Sequence, residues 1–201
     1  MVERAFVLGL SGVHGADKMT PTRRLMQAYP KADLLRHDDY QTITRMSSAE
    51  TRAWFDRGAD PNEFALTELV EELARRTRIR GDVRRRPLLL FETPLGRRHH
   101  GTGAFIDFLV WIDTPFDVAL SRTLLRFVDQ AQRDAAPNAK ADFLKWLRNY
   151  LARYEGLRAM YVVQREALLP SADLVLEGGE AVETSVARVR AALLERGVAC
   201  E

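Results

Sequence analysis

Five short apolar runs, spaced by longer stretches of helical periodicity, constrain this chain more tightly than any other feature. Ala5 to Leu10 (AFVLGL), Asp33 to Arg36 (DLLR), Pro87 to Glu92 (PLLLFE), Phe108 to Asp113 (FLVWID) and Ala172 to Glu177 (ADLVLE) read as strands. The third and fourth are continuously apolar and end in an acid, as strands buried on both faces of a parallel sheet do. Between them, Phe64, Leu66, Leu69, Val70 and Leu73 recur at helical spacing. So do Phe143, Leu147, Tyr150, Leu151, Tyr154 and Leu157, and a last stripe runs through Val182, Val186, Val189 and Leu193. Strands that alternate with helices predict an α/β fold of three layers, a five-stranded parallel sheet flanked by helices. A length of 201 residues suits one domain spanning 1–201.

Composition removes several function classes. The 30 basic and 28 acidic residues leave a net charge of +2, so no field of one sign recruits nucleic acid or an anionic membrane. The basic run RTRIRGDVRRR, residues 76–86, reads as a solvated loop before a strand. Neither a signal peptide nor a membrane span is readable in MVERAFVLGLSG, and the single cysteine, Cys200, excludes an intrachain disulfide. A cytoplasmic location is therefore expected, with monomer or homodimer left open. A second linker, QRDAAPNAKAD (132–142), interrupts a helical pattern at Pro137 and reads as a flap within a candidate lid, residues 115–142.

GLSGVHGADKMT, Gly9 to Thr20, follows the first strand and leads into Thr22 to Tyr29, whose composition permits a helix. Open parallel sheets bind ligands at such strand-to-helix turns. In the phosphate-binding pattern G-x-x-x-x-G-K-[ST], backbone amides cradle phosphate, the lysine neutralises it and the hydroxyl ligates magnesium. Gly12 and Lys18 match that pattern, whereas Asp17 stands at the second glycine and Met19 at the hydroxyl. Aspartate brings strain and negative charge, and a thioether is no magnesium ligand. Thr20, one residue downstream, and Asp17 itself are the two available substitutes.

Together with the other segments, this loop makes the chain resemble the uridine kinase and nicotinamide riboside kinase branch of the P-loop kinases, with their phosphoribulokinase and pantothenate kinase relatives. Ser11, Gly12, Lys18 and Thr20 match the family's S-G-x-x-x-S-G-K-T-T; RHDDYQ, Arg36 to Gln41, is similar to its Q-D-D-F segment. LLLFETP (88–94) is similar to its strand ending in E-G, with Thr93 in place of the glycine. IDTPFDVALSRTLLR (112–126) is similar to V-D-T-x-x-D-x-R-L-x-R-R-x-x-R. The resemblance implies a P-loop NTPase fold and transfer of the γ-phosphoryl of ATP, with Mg2+, to a hydroxyl of a small molecule such as a nucleoside or other polyol. It implies Asp38 as base, Glu92 and Thr20 at the metal, and Arg122 and Arg126 as lid cations. Phosphate binding falls to Gly12, Val13, His14, Gly15, Ala16, Asp17, Lys18, Met19 and Thr20. Through Pro61 and Phe64, DRGADPNEF (56–64) partly matches D-H-P-x-x-F, so Asp60 joins Asp39, Tyr40 and Arg98 as substrate-side candidates.

Blander roles compete with each of these. Lys18 can be a solvated helix-start lysine, Asp38 or Asp39 a turn cap, and the two arginines surface ion-pair partners. His99 and His100 have no acid or cysteine at ligand spacing and read as a flexible substrate-side loop. The alternative function is a nucleotide-binding or regulatory module that keeps the kinase fold without turnover, for which Asp17 and Met19 are the evidence. A kinase acting on a nucleotide or an antibiotic hydroxyl is a third.

Overall fold

All five apolar runs form strands in the computed structural model, which describes residues 4–40, 48–79, 86–133 and 139–199. They are β1 (Phe6–Ser11), β2 (Asp33–Arg36), β3 (Leu88–Glu92), β4 (Phe108–Asp113) and β5 (Leu174–Glu177). Every pairing is parallel, in the order β2-β3-β1-β4-β5, with β1 central. The helices are α1 (Met19–Ala28), α2 (Ser48–Asp56), α3 (Thr67–Thr77), α4 (His100–Gly103), α5 (Phe116–Arg133), α6 (Ala139–Leu168) and α7 (Val182–Glu195).

Alternation along the central strands divides the interior into two cores. Phe6, Leu8 and Leu10 of β1, with Leu88 and Leu90 of β3, face one side, where Leu25 of α1 and Val189 and Leu193 of α7 cover them. Val7, Leu89, Phe91 and Leu109 face the other, against Leu69 and Leu73 of α3. A chain apolar on both faces of its strands must be covered on both faces, which yields three layers. Among the described residues no helix is long and apolar enough to cross a membrane.

Two helices differ from the periodicity. α3 starts at Thr67, because Phe64 and Leu66 are used elsewhere. The Phe64 ring meets Trp54 edge to face with centroids 5.4 Å apart, and its carbonyl lies 2.9 Å from His99 Nε2. Leu66 takes a left-handed φ of 44° immediately before the helix. α6 runs beyond the apolar stripe to Leu168, where it turns from the α5 hairpin to the sheet edge. There Arg165 grips Asp113, at the end of β4, through two bonds of 2.7 Å. Residues 80–85 of the basic linker, 134–138 of the flap and Cys200 lie outside the described residues.

Leu90 is fully buried in the central sheet. Leu90→Ala is expected to cost about 2–5 kcal/mol of unfolding free energy, measured by urea titration, since the close-packed strands on both sides leave little room to collapse.

Candidate active site

β1 ends at Ser11 and the chain turns through residues 12–18 into α1. Gly15 has φ +86°, and a Cβ there would run into the Ala119 carbonyl of α5. Asp17 has φ +62°, so the position where the phosphate-loop pattern has its second glycine does require a left-handed backbone. That conformation costs an L-residue about 1–2 kcal/mol, and aspartate is among the few that tolerate it through local hydrogen bonds. Here Asp17 Oδ1 accepts from Thr20 Oγ1 at 2.9 Å.

Within this turn the amides of Ala16 and Thr22 bond the carbonyls of Val13 (3.0 Å) and Lys18 (3.2 Å). Those of Gly15, Asp17, Lys18 and Met19 bond no backbone carbonyl among the described residues. Unused amides converging at the start of a helix form an anion-binding concavity. Lys18 Nζ donates to the Gly12 carbonyl at 3.2 Å. Burial pushes the ammonium below its ordinary pKa, and the Asp38 and Glu92 carboxylates act in the opposite direction.

Strand register supplies the acids. Glu92 pairs with Leu10 of β1 on one side and Arg36 of β2 on the other, so the chain after β2 emerges beside it. Asp38 lies two residues on, in the 3-10 turn His37–Asp39. Glu92 is buried, 8% exposed, with Oε1 2.7 Å from Thr22 Oγ1, which is also 2.8 Å from the Lys18 carbonyl. Arg126, on α5, contributes its charge to the surroundings of both His14 and Lys18. Lys18, Asp38, Glu92 and Arg126 thus share one electrostatic neighbourhood at the carboxyl edge of the sheet.

Other candidates stand apart from it. The structure does not bring Thr20 to Glu92: its hydroxyl is committed to Asp17, and the hydroxyl that meets the carboxylate is that of Thr22. Arg122 does not share the surroundings of Arg126. Its guanidinium donates to the Gly178 carbonyl at 2.8 Å and lines a cavity of about 60 Å³ with Ala16, Asp17, Thr20 and Glu180. Asp39 pairs with Arg36, Tyr40 packs against the α3 core, and Asp60 accepts from the backbone and side-chain amides of Asn62. The His99 loop is pinned rather than loose, with Nδ1 at Thr102 and Nε2 at the Phe64 carbonyl.

A larger cavity of about 260 Å³ is lined by Asp38, His14, His37 and Arg98 together with residues of α2 and α6. Its α6 wall, Met160, Tyr161, Val163, Gln164 and Leu168, belongs to the part of that helix beyond the apolar stripe and was not legible from spacing. His37 was equally hidden, as one residue of RHDDYQ without a role of its own. Burial pushes its imidazole below the ordinary value, and the same desolvation, with Arg126 and Lys18, lowers that of His14.

Neither a protein-family model nor a curated protein sequence matches the chain. Solved structures do. Shikimate kinase from Aquifex aeolicus has a TM-score of 0.50 at 15% identity, over 95% of this chain and 98% of that one. Shikimate kinase from Acinetobacter baumannii, in complex with shikimate, has 0.48 at 18%, over 96% and 94%. A sugar kinase from Janibacter sp. has 0.49 at 13%, over 93% of each. At 15% identity the likeness to the Aquifex shikimate kinase concerns the fold alone, a parallel sheet of five strands flanked by helices.

Two expectations follow from this geometry. Gly15→Ala should lower stability by about 1–3 kcal/mol in denaturant titration, while Asp17→Gly should change it by less than about 1 kcal/mol, relief of strain offsetting an exposed hydrogen bond. Because His37 is held below its unfolded pKa of about 6.5, the unfolded chain takes up a proton that the folded one resists. Its contribution is fully present above that pH and is lost as pH falls. The melting temperature should therefore drop between pH 7 and 5, and less in His37→Phe.

Proposed function

We propose that the chain is an ATP-dependent small-molecule kinase that moves the γ-phosphoryl group to a hydroxyl. The observation that carries this reading is the meeting of Lys18, Asp38, Glu92 and Arg126 at a turn of unused amides, beside a cavity that Asp38 lines. Phosphoryl transfer needs little covalent work from a protein and much positioning, with cations on the phosphates and an acid at the attacking hydroxyl.

In this reading the amides of Gly15, Asp17, Lys18 and Met19 and the Lys18 ammonium hold the β- and γ-phosphates, and the nucleoside end lies toward Arg122 and Gly178. Asp38 takes the proton of the acceptor hydroxyl as that oxygen bonds the γ-phosphorus. The bond to the β-γ bridging oxygen breaks and ADP leaves. Arg126 neutralises charge on the transferring group, and the α5–α6 hairpin acts as lid, keeping water from the reaction. The donors present suit a magnesium ion that keeps water and phosphate oxygens in its shell: the Glu92 carboxylate and Thr22 hydroxyl would hold it. When bound, the ion supplies charge neutralisation on the phosphates.

The sequence resemblance to the uridine kinase branch supports a nucleoside or other polyol as acceptor, and we propose a cytoplasmic location. A second reading, a nucleotide-binding module without turnover, draws on Met19 and on the Asp17 carboxylate at the turn.

Thermal shift separates the two readings. Stabilisation by ATP that requires magnesium supports the kinase, and equal stabilisation without the metal supports the module. Asp38→Asn is expected to reduce acceptor-dependent ADP release by at least about a hundredfold while leaving the ATP-induced shift nearly intact. Turnover retained in that variant removes Asp38 from the mechanism.

A further inference from the structure

Helix α6 is 30 residues long, and between Lys140 and Leu157 none of its residues is buried. One side of it faces α5 through aromatic rings. The Trp146 ring lies 3.9 Å from that of Phe127 and 5.1 Å from that of Tyr150, and Tyr154 Oη donates to the Phe116 carbonyl at 3.0 Å. About a quarter turn around the helix runs a second stripe, Lys140, Leu144, Leu147, Leu151 and Glu155, at the spacing of one helical face. Leu144 is 62% exposed and Leu151 46%. A single exposed leucine is ordinary, but two of them a heptad apart, with a half-buried third between, make a continuous apolar strip that the chain itself does not cover.

Both ends of the strip carry a charge that the chain leaves unused. Lys140 and Glu155 form no ion pair among the described residues. Arg158, one turn beyond Glu155, lies instead over the Phe116 ring, 5.4 Å from its centroid. Lys140 also stands in the first turn of α6, where the helix dipole and the free amides favour an acid over a base. A carboxylate supplied by another molecule would offset that disadvantage.

The order of the strip is complementary to its own reverse. Let two α6 helices lie antiparallel about a two-fold axis between Leu147 and Arg148. Leu144 of each copy then stands level with Leu151 of the other, and Lys140 of each stands level with Glu155 of the other. The charges are equally far from the axis, and at 1.5 Å per residue they lie about 22 Å apart along one helix, too far to pair within a chain. We propose that the protein forms a two-fold homodimer through this strip of α6, with the leucines of both copies packed between two Lys140–Glu155 ion pairs. A ligand or an unrelated protein would not require a base and an acid placed symmetrically about the middle of the strip. The part of α6 that lines the large cavity begins at Met160, beyond the strip. Pairing here is independent of the phosphoryl-transfer reading.

Sedimentation equilibrium of the intact chain, at loading concentrations from about 1 to about 200 µM, is expected to show a monomer–dimer equilibrium. Lys140→Glu sets like charges opposite each other at both ends of the interface and should weaken the dimer by about tenfold or more, and Glu155→Lys should do the same. With both changes in one chain the pairs re-form in reverse, so association should return to within about threefold of the parent. Leu151→Gln should weaken the dimer in either charge background. Lys140→Glu places an acid at the start of a helix, so its monomer, melted at the lowest concentration, should be at least as stable as the parent's.

Loss of the dimer in both single variants and its return in the double variant supports the proposal, because no change within one chain produces that pattern. A monomeric mass at every concentration overturns it. So does a dimer that neither charge reversal weakens, or one that the double reversal fails to restore.

Discussion

Strand β1 is hydrogen-bonded to parallel partners on both sides, and the geometry of the site depends on that pairing. Parallel register sends every strand out at one edge. Leu10 beside Glu92, Arg36 beside Glu92 and Ser11 beside Trp111 bring three chain segments, far apart in sequence, within reach of one turn. Leu8, Leu10, Leu90 and Phe91 are buried to the last atom on one face or the other, so the register cannot slip without exposing a core. Positioning at the edge is thus a by-product of apolar packing within the sheet.

The turn after β1 is held in place from outside as much as from within. The backbone of α5 lies so close to Gly15 that no side chain fits between them. Thr114, just after β4, donates to the Ala16 carbonyl at 3.3 Å. Such bracing lets Asp17 occupy a left-handed conformation that a free loop would avoid, and lets several amides remain without backbone partners. The two arginines that helical spacing puts on one face also have different surroundings: Arg122 donates to the Gly178 carbonyl, and the charge of Arg126 acts on His14 and Lys18. Strain, unused amides and the His37 ring, unpaired among the described residues, gather within one small region of the molecule, the pattern expected where stability has been given up for binding.

Residues from distant parts of the chain make the larger cavity, and this explains why it was the least legible feature. Its polar members near the turn, His14 and Asp38, lie in segments whose motifs announce themselves. Tyr161, Gln164 and Leu168 sit on a stretch of α6 where the apolar stripe fades. That stretch leaves the α5 hairpin and meets the sheet edge instead, where Arg165 clamps Asp113. Thr22 was hidden for a similar reason. The phosphate-loop pattern looks for a hydroxyl directly after the lysine, whereas here the one facing Glu92 stands a full helical turn further along α1.

The sequence by itself determined the five strands, the parallel three-layer sheet and the turn between β1 and α1, because apolar runs buried on both faces and a glycine-rich break are local signals of short range. It also singled out Lys18 through the phosphate-loop pattern, and Asp38 and Glu92 through the family resemblance of the segments that carry them. Only the tertiary structure decided that Thr22 rather than Thr20 faces Glu92, that Arg122 and Arg126 diverge, and that His37 is sealed beside the cavity without a partner. Those outcomes depend on which distant backbone atoms and side chains surround each group once the layers close, and no spacing along the chain encodes that.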